Sequence, residues 1–176
     1  QYFPYFEDAG IHCTHAPLFS NEYLEVLYET GSRPLWNVIQ GYLGRLRDLL
    51  KVRTHDVIVI EKELLPYAPA VFERLLSRLE TPYIVDYADA VFHNYDLSSN
   101  PIIRQLLDQK IDVVMREADA VVAGNEYLAS RARKAGASRV EIIPTVIDLD
   151  RYPHIPPDDE GPFTIGWIGS PGTIQY

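Results

Sequence analysis

Seven polar residues that can donate to, accept from or steady a hydroxyl group follow short apolar runs in this chain: Glu63, Asp86, Asp89, His93, Asn94, Asn125 and Glu126. Their order suggests the ends of strands in an open α/β sheet, where reacting and binding side chains gather together with the helix N-termini beyond them. His93 is the sharpest candidate. An imidazole just past a strand end can hydrogen-bond a substrate hydroxyl or stabilise developing charge. Capping of its own loop through Asn94 and Tyr95 is the competing role. For Asp86 and Asp89, ordinary loop hydrogen bonding and contact with a substrate hydroxyl explain their placement equally well. Asn125 stands where a helix start calls for an N-cap, and Glu126 where the first turn favours an acid, so both have local reasons to be there.

The elements that would position these groups are short. Val57–Ile60, Tyr83–Val85, Ala120–Ala123 and Val140–Ile143 are brief and mostly β-branched, as expected of parallel strands buried on both faces. Ile11–Ala16 is expected to add a further strand. Asn21–Thr30 and Pro34–Val52 are expected to be helices. Asn100 can cap a helix opened by Pro101, along which Ile102, Ile103, Leu106, Leu107, Ile111 and Val114 recur at helical spacing. A further helix starts at Asn125, buries Leu128 and Ala132, and closes at Gly136. The rhythm is that of an α/β Rossmann-like open parallel sheet flanked by helices.

Both ends look cut. Gln1–Ala9 reads as the second half of a helix closed by Gly10, without the central strand and turn that normally precede it. Residues 148–162 hold four prolines and an acidic Gly-containing stretch, the composition of a linker. Phe163–Gly169 then reads as a new strand, followed by Ser170. The expected organisation is residues 1–150 as one domain, 151–162 as linker and 163–176 as the opening of a second domain. An unfilled central strand position would expose a sheet edge, so self-association is expected as well.

Composition narrows the partners. The 176 residues include 16 basic and 25 acidic side chains, for a net charge of −9, which argues against a nucleic-acid surface. The one cysteine, Cys13, cannot form an internal disulfide. No run approaches the roughly 20 apolar residues of a membrane span, and no secretory signal precedes the first helix, so a cytoplasmic location is expected. His12, Cys13 and His15 are not expected to make a metal site, because successive residues of a strand face opposite ways and a fourth ligand is missing. Leu35–Arg53 combines Trp36, Ile39, Leu43 and Leu46 with Arg45, Arg47, Lys51 and Arg53. Core packing with a solvated basic edge is its main reading, and peripheral contact with anionic lipid a lesser one.

Several stretches carry a family resemblance. Tyr2–Ile11, Glu63–Pro66, Asp89–Asp96, Gly124–Ala129 and Ile143–Asp148 occur in an order that resembles family 4 (group 1) glycosyltransferases, and Gly166–Pro171 resembles the opening of that family's second domain. The resemblance implies a GT-B architecture of two Rossmann-like domains across a cleft, with acceptor on the first and nucleotide-sugar on the second. It implies retaining, metal-independent transfer of a sugar to a hydroxyl in glycan, polysaccharide or glycoconjugate synthesis, with a nucleotide-sugar and a sugar, glycan or lipid-linked acceptor as partners and no cofactor.

By the same resemblance His93 and Asp89 become catalytic candidates. Glu63, Asp86, Asn94, Asn125 and Glu126 become acceptor-binding candidates, and Gly169 and Ser170 donor-binding ones. Ser170 stands where many relatives carry a basic residue. The spaced glutamate pair of the family's donor site is not found, so the chain alone is expected to be inactive. Two rivals remain open: a non-catalytic α/β regulatory or interaction module, and a dinucleotide-dependent enzyme. The second would need a G-x-G-x-x-G turn, which the chain lacks.

Overall fold

The β-branched runs pair as four parallel strands in the computed structural model, which describes residues 2–147 and Gly166. They are β1 (Ile58–Glu61), β2 (Tyr83–Tyr87), β3 (Ala120–Ala123) and β4 (Val140–Ile142), in the spatial order β1-β2-β3-β4. Ile58 lies opposite Tyr83, Val85 opposite Val121, and Val121 opposite Val140. Parallel neighbours need long crossovers, and helices supply them. The helices in chain order are α1 (Phe3–Asp8), α2 (Asn21–Thr30), α3 (Leu35–Leu49), α4 (Val71–Leu76), α5 (His93–Asp96), α6 (Pro101–Leu107), α7 (Lys110–Glu117) and α8 (Glu126–Ala135). A 3-10 turn, Val52–Thr54, precedes β1. The chain divides into two compact units, Gln1–Thr145 and Val146–Tyr176. The expected linker, the strand at Phe163–Gly169 and the candidates Gly169 and Ser170 lie outside the described residues, Gly166 excepted.

The sheet is buried chiefly on one face. Tyr83, Val85 and Tyr87 are fully buried with Val121 and Ala123, whereas Ile84, Asp86 and Val122, pointing the other way, are half-buried. Burial on both faces, expected from the apolar runs, is thus replaced by alternation. The packed face meets Leu76 of α4, Ile111, Val114 and Met115 of α7, and Leu128 and Ala132 of α8. The ends of α8 are as expected. Asn125 Oδ1 accepts the Leu128 amide at 3.0 Å, and Gly136 takes φ 90°, a left-handed value that glycine adopts without strain.

Two elements differ from expectation. Ile11–Ala16 forms no strand, and the segment is largely exposed without a neighbour in the described sheet. Strand propensity is realised only where a ladder and a packed face are available. The single helix expected after Asn100 is two. Asn100 does cap, Oδ1 to the Ile102 amide at 3.0 Å, but α6 ends at Leu107 and α7 begins at Lys110. At the break Asp108 Oδ1 accepts the Gln109 amide at 2.8 Å, a local bond that competes with helix continuation. The break also divides the apolar residues: Ile102 and Leu106 are exposed, while Leu107, Ile111 and Val114 are buried.

Tyr87 closes β2 with its hydroxyl fully buried and, among the described residues, without a hydrogen-bond partner. Burial pushes its phenol well above the usual range. An unsatisfied buried hydroxyl is costly, so Tyr87→Phe is expected to raise the unfolding free energy by about 1 kcal/mol. Urea denaturation of the two proteins reads this directly.

Candidate functional site

Three strand ends build the site. After β1 the chain turns through Lys62 at φ 69° and Tyr67 at φ 58°, left-handed values unusual for residues with a Cβ. Such backbone persists only where neighbours hold it, and here several do. The Tyr67 amide donates to the Tyr95 hydroxyl at 3.0 Å, the Leu64 amide to Glu73 Oε1 at 3.2 Å, and Lys110 Nζ to the Leu65 carbonyl at 2.6 Å. The Tyr42 hydroxyl donates to the Pro66 carbonyl.

Glu63 lies at the centre of this loop. Its carboxylate pairs with Lys110 Nζ, and the two side chains are 8% and 1% exposed. Both oxygens also lie 2.8 Å from the Tyr95 hydroxyl. Burial, reinforced by the Glu63 charge, raises the Tyr95 phenol far above its ordinary value. Glu63 is therefore turned into the protein, toward Lys110 and Tyr95.

Glu73, also buried, has its carboxyl raised above the usual range by desolvation. A carboxyl raised by folding binds its proton more tightly in the native state than in the unfolded chain. Its contribution to stability therefore falls as pH rises beyond the ordinary carboxylate range. Glu73→Gln, which keeps an acceptor for the Leu64 amide, is expected to flatten that decline in denaturation midpoints measured from pH 4 to 8.

At the end of β2, Asp86 stands opposite Glu61 in register. Burial first and the Glu61 charge second raise its carboxyl above the usual value. Asp89, in the turn that follows, pairs with Lys62 Nζ at 2.9 Å. The turn leads into α5, where His93 Nδ1 lies 2.8 Å from Asp96 Oδ1. Asn94 is exposed beside it.

The end of β3 contributes Asn125, Glu126 and Tyr127. Asn125 serves as the α8 cap, and Glu126 pairs with Arg133 of the same helix. Tyr127 crosses to α5, its hydroxyl 2.8 Å from His93 Nε2. Behind the histidine, Arg131 clamps Asp112 through Nε at 2.6 Å and Nη2 at 3.0 Å and reaches Asp96 at 3.3 Å, with its guanidinium over the Phe92 ring. Hydrogen bonding to Asp112 raises the Arg131 pKa further.

The strand ends thus gather all seven described candidates on one rim of the sheet, and three of them reach across from one strand end to the next: Glu63 to Tyr95, Asp89 to Lys62, and His93 to Tyr127. Asp96, Tyr127, Arg131 and Lys110 are not among the site candidates that the sequence offers, although Asp96 and Tyr127 lie within the stretches that carry the family resemblance. Asp96 had a signal, three residues after His93 on one helical turn; Lys110 had one in its place on the apolar stripe, three residues after Leu107 and four before Val114, but nothing local names Glu63 as its partner.

Among the described residues no three His, Cys, Asp or Glu side chains are grouped to hold a metal ion, and no helix is long and apolar enough to cross a membrane. Cys13 is exposed.

An open parallel sheet with helical crossovers and polar groups collected at its carboxyl rim defines a Rossmann-like α/β domain, consistent with half of a GT-B enzyme. Residues 5–145 match the family described as Glycosyl transferase 4-like domain, and the chain belongs to that family. Searches among characterised proteins and among solved structures returned no match.

Proposed function

We propose that the chain is the acceptor-side part of a retaining, nucleotide-sugar-dependent glycosyltransferase that transfers a sugar to a hydroxyl in glycan, polysaccharide or glycoconjugate synthesis. Family membership supports the reaction class. The observation that carries the site is His93, partly exposed at the end of β2 and held by Asp96 on one ring nitrogen, so that the other can meet a hydroxyl. In this reading Asp89 and Asn94 line the same rim. Asp86, its carboxyl raised by burial beside Glu61, contributes a further acceptor contact.

Glu63 acts by holding its loop, and Asn125 and Glu126 act chiefly on α8. Residues 1–150, 151–162 and 163–176 are assigned as acceptor-side domain, linker and opening of the nucleotide-sugar domain, with Gly169 and Ser170 toward the donor. A cytoplasmic location with peripheral contact at the inner face of the membrane draws support from α3, where Leu35, Trp36, Ile39 and Leu43 are exposed although Tyr42, Leu46 and Leu49 pack on the core. Self-association draws support from β1, an edge strand with Val59 exposed.

The test is a titration of isotopically labelled chain with methyl glycosides, nucleotide-sugars and NAD, followed by NMR. Sugar-dependent shifts centred on Asp89, His93, Asn94 and Tyr127 are expected. Shifts confined to NAD would replace this reading with the dinucleotide one, and no shift with any ligand would favour a non-catalytic module.

A further inference from the structure

His93 is held very differently at its two ring nitrogens. Nδ1 faces a carboxylate, which has no proton to give, so Nδ1 carries the hydrogen and donates to Asp96. In that tautomer Nε2 presents a lone pair, and the Tyr127 hydroxyl, 2.8 Å away, is placed to donate to it. The Asp96 side is built to stay, because Asp96 is engaged by Arg131, which Asp112 clamps in turn through two hydrogen bonds. The Tyr127 side is built to leave. Tyr127 is 59% exposed, and its ring meets those of Phe92 and His93 in tilted contacts at 6.0 and 6.3 Å.

We propose that the Tyr127 hydroxyl is a placeholder: it occupies the position on His93 Nε2 that a sugar hydroxyl takes, and it swings into solvent when the sugar binds. Asp96 and Arg131 are positioning residues that keep the acceptor lone pair of Nε2 aimed at that position in both states. The inference rests on the glycosyltransferase reading of His93 and deepens it by naming what the incoming hydroxyl must displace. A substrate group that can donate a hydrogen bond fits the position, whereas one that can only accept does not, so the site selects hydroxyls over ethers at that point of the sugar.

The experiment compares wild type with Tyr127→Phe, a substitution at an exposed position that keeps the ring and removes only the competing hydroxyl. In the free wild-type chain, nitrogen NMR of the imidazole is expected to show the Nδ1–H tautomer. Methyl α-D-glucopyranoside and UDP-glucose are then titrated into both proteins. A neutral hydrogen bond of ordinary net strength corresponds to about fivefold in affinity, so Y127F is expected to bind the sugar about fivefold more tightly. Sugar should move the Tyr127 ring resonances in wild type and leave the His93 tautomer unchanged. Equal or weaker binding by Y127F, or an Nε2–H tautomer in the free chain, overturns the placeholder role and leaves the functional reading standing. Binding of sugar by neither protein overturns both.

Discussion

Lys110→Met is expected to lower the unfolding free energy by about 3–5 kcal/mol, the usual consequence of leaving one member of a buried ion pair without its partner. The size follows from where the charges sit. Glu63 and Lys110 are 8% and 1% exposed, so the carboxylate that remains cannot turn to water without moving its loop. The Leu65 carbonyl loses its donor at the same time, and the Tyr95 hydroxyl is left as the one strong partner of a buried charge. The double variant E63Q/K110M removes the charge while leaving an acceptor for Tyr95, and is expected to recover most of the loss.

Lys62→Met makes the contrast. Its pair with Asp89 has a similar form, but the side chains are 39% and 68% exposed, so less than about 1 kcal/mol is expected. Urea denaturation of the four proteins decides. Equal effects at Lys62 and Lys110 would mean that the Glu63 pair is solvated.

What could be read beforehand follows the range of the interactions involved. The strands were legible because short β-branched runs need no distant information, and β3 occupies the residues expected, Ala120–Ala123. The caps of α8 were legible because Asn125 and Gly136 act within one turn. The expected strand at Ile11–Ala16 failed for lack of what a sequence does not display, a paired neighbour. The break at Asp108 was hidden because a side chain bonding the next amide leaves the helical spacing of apolar residues almost intact.

The candidate site divides in the same way. Position after a strand marks polar residues near the rim, and all seven described candidates are there. Whether each faces outward depends on contacts far apart in sequence: Lys110 draws Glu63 inward from 47 residues away, and Tyr127 reaches His93 across 34. Glu126 is the local exception, since the residue that engages it, Arg133, lies on its own helix.

His93→Ala is expected to reduce kcat/KM for sugar transfer by about 100-fold in the polypeptide that performs the reaction, the lower range for loss of a positioned proton-handling group. The fold should not suffer, since the side chain is 37% exposed and lies at the rim, outside the packed face of the sheet. Denaturation midpoints within a few tenths of a kcal/mol of wild type are therefore expected alongside the lost activity.

The balance between kcat and KM says what His93 does. An imidazole that only anchors a substrate hydroxyl raises KM at nearly constant kcat, whereas one that supports charge or a proton in the transition state lowers kcat. Asp96→Asn refines the distinction. The amide carbonyl can still accept from Nδ1 but no longer carries the charge that favours that tautomer and steadies a developing imidazolium, so kcat should fall by a larger factor than KM rises. If H93A retains activity within threefold of wild type, the catalytic assignment fails, and the Tyr127–His93–Asp96 chain is then a structural tie between the ends of β2 and β3.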